Sequence, residues 1–393
     1  AEALRAHHLS GEARAAGARG GVEVLPLFAR LSQAEQDRIF QPHGAPRIVL
    51  ATNVAETSLT VPGIRYVVDA GTARVKRYSY RNKVEQLQIE AVSQAAANQR
   101  AGRCGRVSNG ICVRLYDEAD FAQRPRFTDP EILRSSLAGV ILRMKSLKLG
   151  AVEDFPFLEA PPGKAIADGY QLLAELGAVD EANELTETGR QLARLPLDPR
   201  VGRMLLAARD GQCLSEMLVI AASLSSQDVR DRPQDQQQAA DAKHKPFDDE
   251  KSEFSGLLKL WKWLGEIRGG EGEHKLSHRK AEAKLREHFI SPRRVREWRD
   301  VHQQLHTVVA EQGWRLNASE ASYEQLHRAL LAGLLGNIGL KSETEDKGDQ
   351  GAYLGARGIK FWPWPGAHLS KKPGRWVLAA ELVVSAMELL LLG

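Results

Sequence analysis

Cysteine is scarce in this chain, which has three among its 393 residues: Cys104, Cys112 and Cys213. Three thiols cannot form a paired disulfide framework, and none has the spacing of a metal-ligand set, so a disulfide-stapled or cysteine-based metal protein is excluded. The first nine residues lack the apolar core of a signal peptide, and the apolar run near the end is short and interrupted by Glu388. We therefore expect a cytoplasmic protein without a membrane partner.

Two phosphate-handling signatures are also missing. No Gly-x-x-x-x-Gly-Lys-Ser/Thr loop and no Asp-Glu-Ala-His tetrapeptide occurs anywhere in the chain. Such elements cradle nucleotide phosphates and hold magnesium, so a self-contained nucleotide hydrolase is excluded. The chain opens at Ala1, without a methionine and inside a helix-like Ala-Glu-Ala-Leu-Arg. We therefore expect it to be a fragment.

Positive charge is concentrated in one segment. The net charge is only +4, and the apolar content of 43% and charged content of 26% are ordinary for a globular protein. Residues 71–116, however, hold nine lysines and arginines against only Glu85 and Glu90. This segment predicts a local anion-binding surface.

Within that segment lies the octapeptide Gln99-Arg100-Ala101-Gly102-Arg103-Cys104-Gly105-Arg106. Its glycines let the backbone pass close to a ligand, and arginine forks suit phosphate oxygens. In phosphoryl transfer, such arginines neutralise charge and a glutamine can orient the attacking water. Taken alone, the octapeptide also fits an arginine-rich helix that faces solvent.

The segment upstream favours a phosphate-binding role for the octapeptide over a solvent-facing helix. Residues 47–50 predict a buried strand that runs into the polar loop Thr52–Thr60. An apolar strand that delivers short polar side chains at its carboxyl end, with an arginine turn about 45 residues later, is typical of nucleotide and nucleic-acid sites in open α/β sheets.

At this point the chain resembles a known family. Ala51–Thr60 resembles motif V of the DEAH-box ATP-dependent RNA helicases, and Gln99–Arg106 resembles their motif VI, with Cys104 where alanine is more usual. Two long motifs in this order and spacing are highly specific. The similarity, to the bacterial HrpA-type members above all, continues to about Leu382.

The resemblance implies roles around a nucleotide. Gln99 is expected to position the attacking water, and Arg103 and Arg106 to reach the β- and γ-phosphates, while Arg100 anchors the turn. Ser58 is expected on the nucleotide side.

Phe40 matches a family phenylalanine that stacks on the adenine base. An aromatic ring needs no base-specific hydrogen bonds for such a contact. The alternative is that Phe40 belongs to the core at the end of a helix.

Other residues are expected to contact RNA. Thr52, Asn53 and Thr57 offer short hydroxyl and amide groups that suit phosphate and ribose oxygens without base readout. Glu56, between them, is a candidate for a carboxylate that fixes the fold.

A hairpin predicted at residues 74–89 carries aromatic and basic side chains that suit a strand-guiding ribbon: Arg77, Tyr78, Tyr80 and Arg81. The alternative is an ordinary extension of the sheet. Further along, the segment Leu224–Arg230 resembles a family signature lining the RNA channel, with Ser225 and Arg230 as the expected contacts.

The fold class we expect is multidomain, α/β plus α plus β. Strands at 22–27, 47–50, 64–69 and 110–116, with a helix at 93–104, predict a parallel sheet. By resemblance this is a truncated second RecA-like domain at residues 1–123. A winged helix at 124–196, a helical ratchet-like domain at 197–315 and a partial OB-fold at 316–393 would follow.

The resemblance implies the C-terminal portion of a helicase that couples ATP hydrolysis to translocation on single-stranded RNA. Its cofactor would be ATP with Mg²⁺, whose metal ligands lie outside this chain. Its partners would be single-stranded RNA, the N-terminal RecA-like domain of the same protein, and ribosomes or other RNA–protein complexes. The alternative is a stand-alone nucleic-acid-binding module without ATPase activity.

Overall fold

Parallel strands joined by short helices form the first unit of the protein. The computed structural model describes residues 22–28, 31, 33–56, 61–79, 84–233, 235–269, 276–343, 351–364, 367–371 and 374–384. The α/β unit contains strands β1 (Glu23–Leu27), β2 (Arg47–Ala51), β3 (Tyr66–Asp69), β4 (Thr72–Ser79), β5 (Val84–Ala91) and β6 (Ile111–Arg114), with helices α1 (Gln33–Asp37), α2 (Gln94–Ala101) and α3 (Glu118–Gln123).

The pairing of these strands confirms the expected α/β class. β1 pairs with β2 and β3 pairs with β6, both in parallel, while β4 and β5 form an antiparallel hairpin. Parallel neighbours need a crossover, which α1 and α2 supply on the way to β2 and β6. Among the described residues the four parallel strands form two separate pairs rather than one continuous sheet.

One face of the β3–β6 pair differs from the expectation of buried strands. Tyr66 and Val68 are 72% and 67% exposed, and their register partners Ile111 and Val113 are exposed as well. Successive side chains in a strand point to opposite faces, so the apolar run marks a strand without showing which face is covered.

A winged unit follows the α/β unit. It contains α4 (Ala138–Ser146), α5 (Gly163–Glu175) and α6 (Glu187–Ala193), packed around a core that includes Leu137, Ile141 and Leu173. Val179 and Leu185 form an antiparallel bridge at the predicted wing.

The helical unit holds the largest core. Its helices are α7 (Pro199–Asp210), α8 (Leu214–Leu224), α9 (Gln237–His244), α10 (Glu253–Gly269), α11 (His278–Glu287) and α12 (Pro292–Glu311). Helix α13 (Tyr323–Gly333) follows the predicted boundary at residue 315 and packs into the same core through Leu326 and Leu330. Trp298 of α12 is 1% exposed, and its indole N–H donates to the Val219 carbonyl of α8 at 3.0 Å. Among the described residues no helix is long and apolar enough to cross a bilayer.

A small antiparallel sheet closes the described part of the chain. β7 (Ile338–Lys341), β8 (Tyr353–Gly355), β9 (Lys360–Phe361) and β10 (Trp376–Leu378) pair in the order β10-β7-β8-β9. The strand β11 (Val383–Val384) leaves this sheet and pairs in parallel with β5 of the hairpin. Four strands in this order do not confirm the expected OB-fold.

One buried and two half-buried histidines should make the helical unit acid-sensitive. Burial lowers the pKa of His244, His302 and His327 below the ordinary 6.5. The unfolded chain therefore binds more protons than the folded chain below that pH, so these groups leave stability unchanged well above it and lower the stability as the pH falls. We expect the urea midpoint, followed by tryptophan fluorescence, to fall between about pH 7.5 and 5.5.

The triple variant H244Q/H302Q/H327Q should show a smaller fall in the urea midpoint over the same range. His278→Gln, at a position whose side chain is 76% exposed, is the matched control and should leave the fall unchanged. A midpoint that is flat or rises on acidification would contradict this assignment.

Candidate functional site

The arginine turn follows directly from helix α2. The helix begins at Ser93, whose hydroxyl accepts the Ala96 N–H at 3.2 Å as an N-cap. At the other end, the chain turns over residues 102–105. Gly110, before β6, packs against this turn, because an added Cβ there would overlap the Cys104 carbonyl. Helix and strand together therefore fix where the turn lies.

Arg100 anchors the turn by two carboxylates. Its Nε donates to Glu56 Oε1 at 2.7 Å, and its Nη1 donates to Asp69 Oδ1 at 2.7 Å and to the Thr72 carbonyl at 3.1 Å. Burial alone would lower the pKa of Arg100, but the hydrogen bonds and charges of Asp69 and Glu56 raise it. Arg100 thus lies where the sequence predicted a structural anchor, and Glu56 fixes the strand-end loop to α2.

Asp69, at the end of β3, is the centre of this network. Its side chain has no exposed surface. Besides Arg100, its carboxylate accepts the Gly71 N–H at 2.9 Å and the Tyr116 hydroxyl at 2.9 Å. Burial would raise the pKa of Asp69, yet these hydrogen bonds outweigh burial and the pKa is lowered. Asp69 is therefore held as a carboxylate inside the unit.

Tyr116 binds Asp69 directly, and Arg124 contacts Tyr116 and Gly71. The sequence analysis predicted neither residue. The Arg124 guanidinium lies 3.8 Å from the Tyr116 ring centre, and its Nη1 donates to the Gly71 carbonyl at 2.8 Å. The Tyr116–Asp69 bond joins residues 47 positions apart, and the Arg124–Gly71 bond joins residues 53 apart. No local pattern could have signalled such contacts.

The three predicted catalytic residues lie together at the end of α2. Gln99 and Arg106 are exposed and Arg103 is half-buried, with its Nε donating to the Gln99 carbonyl at 3.3 Å. Burial lowers the pKa of Arg103, and the positive charge of Arg106 lowers it further. Two guanidinium groups that repel one another make a site where an anion would relieve the repulsion.

The strand-end residues lie at the carboxyl edge of the first strand pair. Thr52 and Asn53 follow β2 and are exposed, and the Thr52 N–H donates to the Leu27 carbonyl at the end of β1 at 3.1 Å. Thr57 and Ser58 lie outside the described residues.

Phe40 is 42% exposed, at the end of the single 3₁₀ turn after α1. Its neighbour Ile39, 2% exposed, packs with Leu25 and Leu27 in the core of the α/β unit. The alternative that Phe40 is a core residue is therefore wrong, because Ile39 occupies that position.

The hairpin is docked rather than free along its described length. Arg77 pairs with Glu90 and, at 2.8 Å, with Asp129, and both carboxylates raise its pKa. Tyr78 is 9% exposed, and its N–H donates to the Arg134 carbonyl at 2.8 Å.

The predicted RNA contact at Arg77 is therefore not supported, because two carboxylates within the fold already neutralise its charge. Tyr80 and Arg81 lie outside the described residues.

The expected channel segment of the helical unit follows α8. Ser225 is exposed at the carboxyl end of that helix. Arg230 forms an antiparallel bridge with Ile290, and its guanidinium pairs with the Asp228 carboxylate at 2.8 Å. Arg230 is thus bonded within the fold through both its backbone and its guanidinium group.

One segment that differs from the absent Asp-Glu-Ala-His tetrapeptide only at its last residue has a structural role. In Asp117-Glu118-Ala119-Asp120, the Asp117 side chain caps α3 by accepting the Asp120 N–H at 2.6 Å, and Asp120 pairs with Arg124 at 2.6 Å. Across the part of the chain that the structure describes, no group of three or more His, Cys, Asp or Glu side chains could hold a metal ion.

Removing the buried carboxylate should destabilise the whole α/β unit. Asp69→Asn leaves the Arg100 guanidinium without one of its two charge partners, so the free energy of unfolding should fall by about 3 kcal/mol. Asp37→Asn, at an exposed carboxylate of α1 in the same unit that accepts the Gln33 side-chain amide, is the control and should cost less than about 1 kcal/mol. Urea titration of both variants measures the difference, and equal losses would show that Asp69 is not the centre of the network.

Comparisons with known proteins agree with this geometry. Residues 5–108 match the family described as helicase conserved C-terminal domain. Residues 170–197 match the winged-helix part of the helicase associated domain (HA2), and residues 198–266 match its ratchet-like part.

Individual relatives are similar over nearly the whole chain. The ATP-dependent RNA helicase HrpA of Escherichia coli (strain K12) is 54% identical over 366 residues, which is 92% of this chain and 27% of that protein. The HrpA homolog of Haemophilus influenzae is 52% identical over 368 residues, 92% of this chain and 28% of its own length.

A human relative, the probable ATP-dependent RNA helicase DHX35, is 33% identical over 372 residues, 93% of this chain and 50% of its own. The chain therefore spans between about a quarter and a half of the curated relatives it matches. With its helicase C-terminal, winged-helix and ratchet-like parts, it is similar to the C-terminal part of the DEAH-box RNA helicases of the HrpA type.

Proposed function

We propose that this chain provides the arginine half of an ATP site and part of the RNA path in an enzyme that couples ATP hydrolysis to translocation on single-stranded RNA. The observation that carries the proposal is the arginine turn. Arg100 is bound by Glu56 and Asp69, so the turn is held in place while Arg103 and Arg106 repel one another beside it. An aimed pair of guanidinium groups stabilises the charge of a transferring phosphoryl group.

In this proposal ATP binds against the turn. Arg103 and Arg106 contact its β- and γ-phosphates, Gln99 orients the attacking water, and Ser58 lies on the nucleotide side. Phe40 stacks on the adenine, for which its 42% exposed ring supplies the surface.

Magnesium would take its protein ligands from elsewhere. Among the described residues no cluster of His, Cys, Asp or Glu side chains fits a metal ion. We propose that the N-terminal RecA-like domain of the same protein supplies the metal ligands and the phosphate loop, and closes on this chain as a partner.

The RNA path would follow the strand ends and the helical unit. Thr52, Asn53 and Thr57 would contact phosphate and ribose oxygens, and Ser225 and Arg230 would line the opposite wall. Such contacts carry little base recognition. Arg77 is left out because Glu90 and Asp129 already bind it.

Several coarser features complete the proposal. We propose domain boundaries at residues 123, 196 and 315, and a partial OB-fold built on the terminal four-stranded sheet. The three free thiols support a cytoplasmic location. Ribosomes or other RNA–protein complexes are proposed as the setting of the RNA substrate.

Replacing one phosphate-facing arginine should separate chemistry from RNA binding. In the intact helicase, Arg106→Ala should lower kcat for RNA-stimulated ATP hydrolysis about a thousandfold, since it removes charge stabilisation from phosphoryl transfer. RNA affinity without nucleotide should stay within about twofold. The matched control is Arg114→Ala, because Arg114 stacks on Phe121 and binds Asn98 in the same unit.

Phosphate release and fluorescence anisotropy measure the two quantities. A loss of both in Arg106→Ala would mean that the turn is structural. ATP turnover by the 393-residue chain alone, on the order of 1 s⁻¹ or more, would contradict the proposal that this chain provides only the arginine half of the ATP site.

RNA binding by the chain alone should be weak and electrostatic. We expect dissociation constants on the order of micromolar for labelled oligo-U and for a mixed-sequence RNA, with log K falling against log salt by about 0.7 per phosphate neutralised. Asn53→Ala should weaken binding, whereas Asn183→Ala, in the winged unit, should not. Salt-independent binding or a strong sequence preference would instead indicate a nucleic-acid recognition module that does not translocate along RNA.

A further inference from the structure

A buried arginine joins the helical unit to the α/β unit. Arg294 lies in the first turn of α12 and is 7% exposed. Its Nη1 donates to Asp231 Oδ1 at 2.8 Å and to the Asp228 carbonyl at 3.2 Å, within its own unit. Its Nη2 donates to the Leu31 carbonyl, in the loop after β1, at 3.3 Å. One guanidinium therefore spans the boundary between two units.

On the helical side, Arg294 is part of a rigid arrangement. The Asp231 N–H donates to the Phe289 carbonyl at 2.7 Å, and the Ser291 N–H donates to the Val229 carbonyl at 2.8 Å. These bonds tie residues 228–231 to the turn that opens α12. The same residues continue the segment from Ser225 to Arg230 that we propose as one wall of the RNA path.

On the α/β side, Arg294 reaches the other wall. Leu31 is 4% exposed, and its carbonyl also accepts the Gln36 side-chain N–H at 2.9 Å. The loop that holds Leu31 follows β1, whose last residue is bonded to Thr52 at the end of β2. Arg294 thus bonds to segments that adjoin each of the two sets of residues proposed to contact RNA.

The two halves of this contact differ in strength. Toward Asp231 the guanidinium makes a buried, charge-assisted bond, which is among the stronger protein hydrogen bonds. Toward Leu31 it makes one longer bond to a neutral carbonyl, which is individually weak. Beside it, Arg293 Nη1 and Gln33 Oε1 are 3.5 Å apart on the surface, and the carboxylates of Glu35 and Asp231 are close enough to repel one another. The hydrogen bonds that would break on the Leu31 side are therefore weaker than those that hold Arg294 to Asp231.

Resting on the proposed function, we propose that Arg294 is a positioning residue of the RNA path: it stays bound to Asp231 and releases the Leu31 loop when the α/β unit steps along RNA. In the joined state it sets the distance between the two RNA-contacting walls. Each step then breaks the Leu31 contact while the helical unit keeps its own structure.

Substitution of Arg294 tests the positioning role in the intact helicase. Arg294→Met should lower the number of base pairs unwound per ATP about tenfold, while RNA-independent ATP hydrolysis stays within about twofold. Arg294→Lys, which keeps a charge on Asp231 but not the fork, should fall between. Arg232→Met removes an exposed ion pair with Asp241 in the same unit and should leave coupling unchanged. If Arg294→Met and wild type unwind equally per ATP, the proposal is wrong.

Crosslinking tests the release without relying on a variant that weakens the fold. Gln33→Cys/Arg293→Cys places two surface thiols across the contact, and a short bismaleimide should join them in the free protein. The crosslinked enzyme should unwind RNA at least tenfold more slowly than either variant that carries only one of the two introduced cysteines and is treated in the same way. Crosslinked enzyme that unwinds at the normal rate would show that the contact need not open.

The yield of that crosslink separates this proposal from the proposed function. With oligo-U and a non-hydrolysable ATP analogue bound, the yield should drop about threefold or more, since the loop spends part of the time released. An unchanged yield in a helicase that unwinds normally removes the Arg294 proposal alone. Failure of the wild-type protein to hydrolyse ATP with RNA would remove the proposed function, and the yield would still report on the contact.

Discussion

The structure of the α/β unit depends on one buried ion cluster, formed by Arg100, Asp69 and Glu56. Burying these charges would be unfavourable if any one of them lacked a partner, because an uncompensated buried charge costs several kcal/mol. Here two carboxylates bind the Arg100 guanidinium, and Asp69 also accepts the Gly71 N–H on the same oxygen, Oδ1, and the Tyr116 hydroxyl on Oδ2. The cluster therefore joins three chain segments far apart in sequence, and the end of α2 can lie in only one place.

That constraint gives the three arginines of the octapeptide different roles. Arg100 is bound by carboxylates within the fold. Arg103 and Arg106 lie at the turn, where partial burial and then the positive charge of Arg106 lower the pKa of Arg103. A flexible arginine pays rotamer entropy each time it binds phosphate. A turn fixed from behind presents its guanidinium groups in a limited range of positions, and preorganised charge of this kind is what phosphoryl transfer requires.

Sequence reasoning reached the strands, the arginine turn and the family, because each has a local signature: an apolar run, a Gly-Arg pattern, a motif of fixed spacing. It failed where burial depends on distant segments. The apolar run of β3 marks a strand, but not that Tyr66 and Val68 face outward. Phe40 and Ile39 are adjacent apolar residues, and only packing against β1 decides which one enters the core. The sequence predicted an RNA contact at Arg77, whereas the fold places the Glu90 and Asp129 carboxylates beside its guanidinium group.

The contacts between units are unequal, and their inequality sets which motions are possible. At the hairpin, the α/β unit is held by the Arg77–Asp129 pair, by the Tyr78 N–H on Arg134, by the Lys76–Glu381 pair and by strand pairing with β11. At the opposite boundary, the described side-chain bonds between α12 and the β1 loop are the Arg294 bond to Leu31 and the Arg293 contact with Gln33. Relative motion of the units would therefore break fewer described bonds at the contact with α12 than at the hairpin. A hinge at one side and a releasable hydrogen bond at the other would allow the path to widen while both cores stay packed.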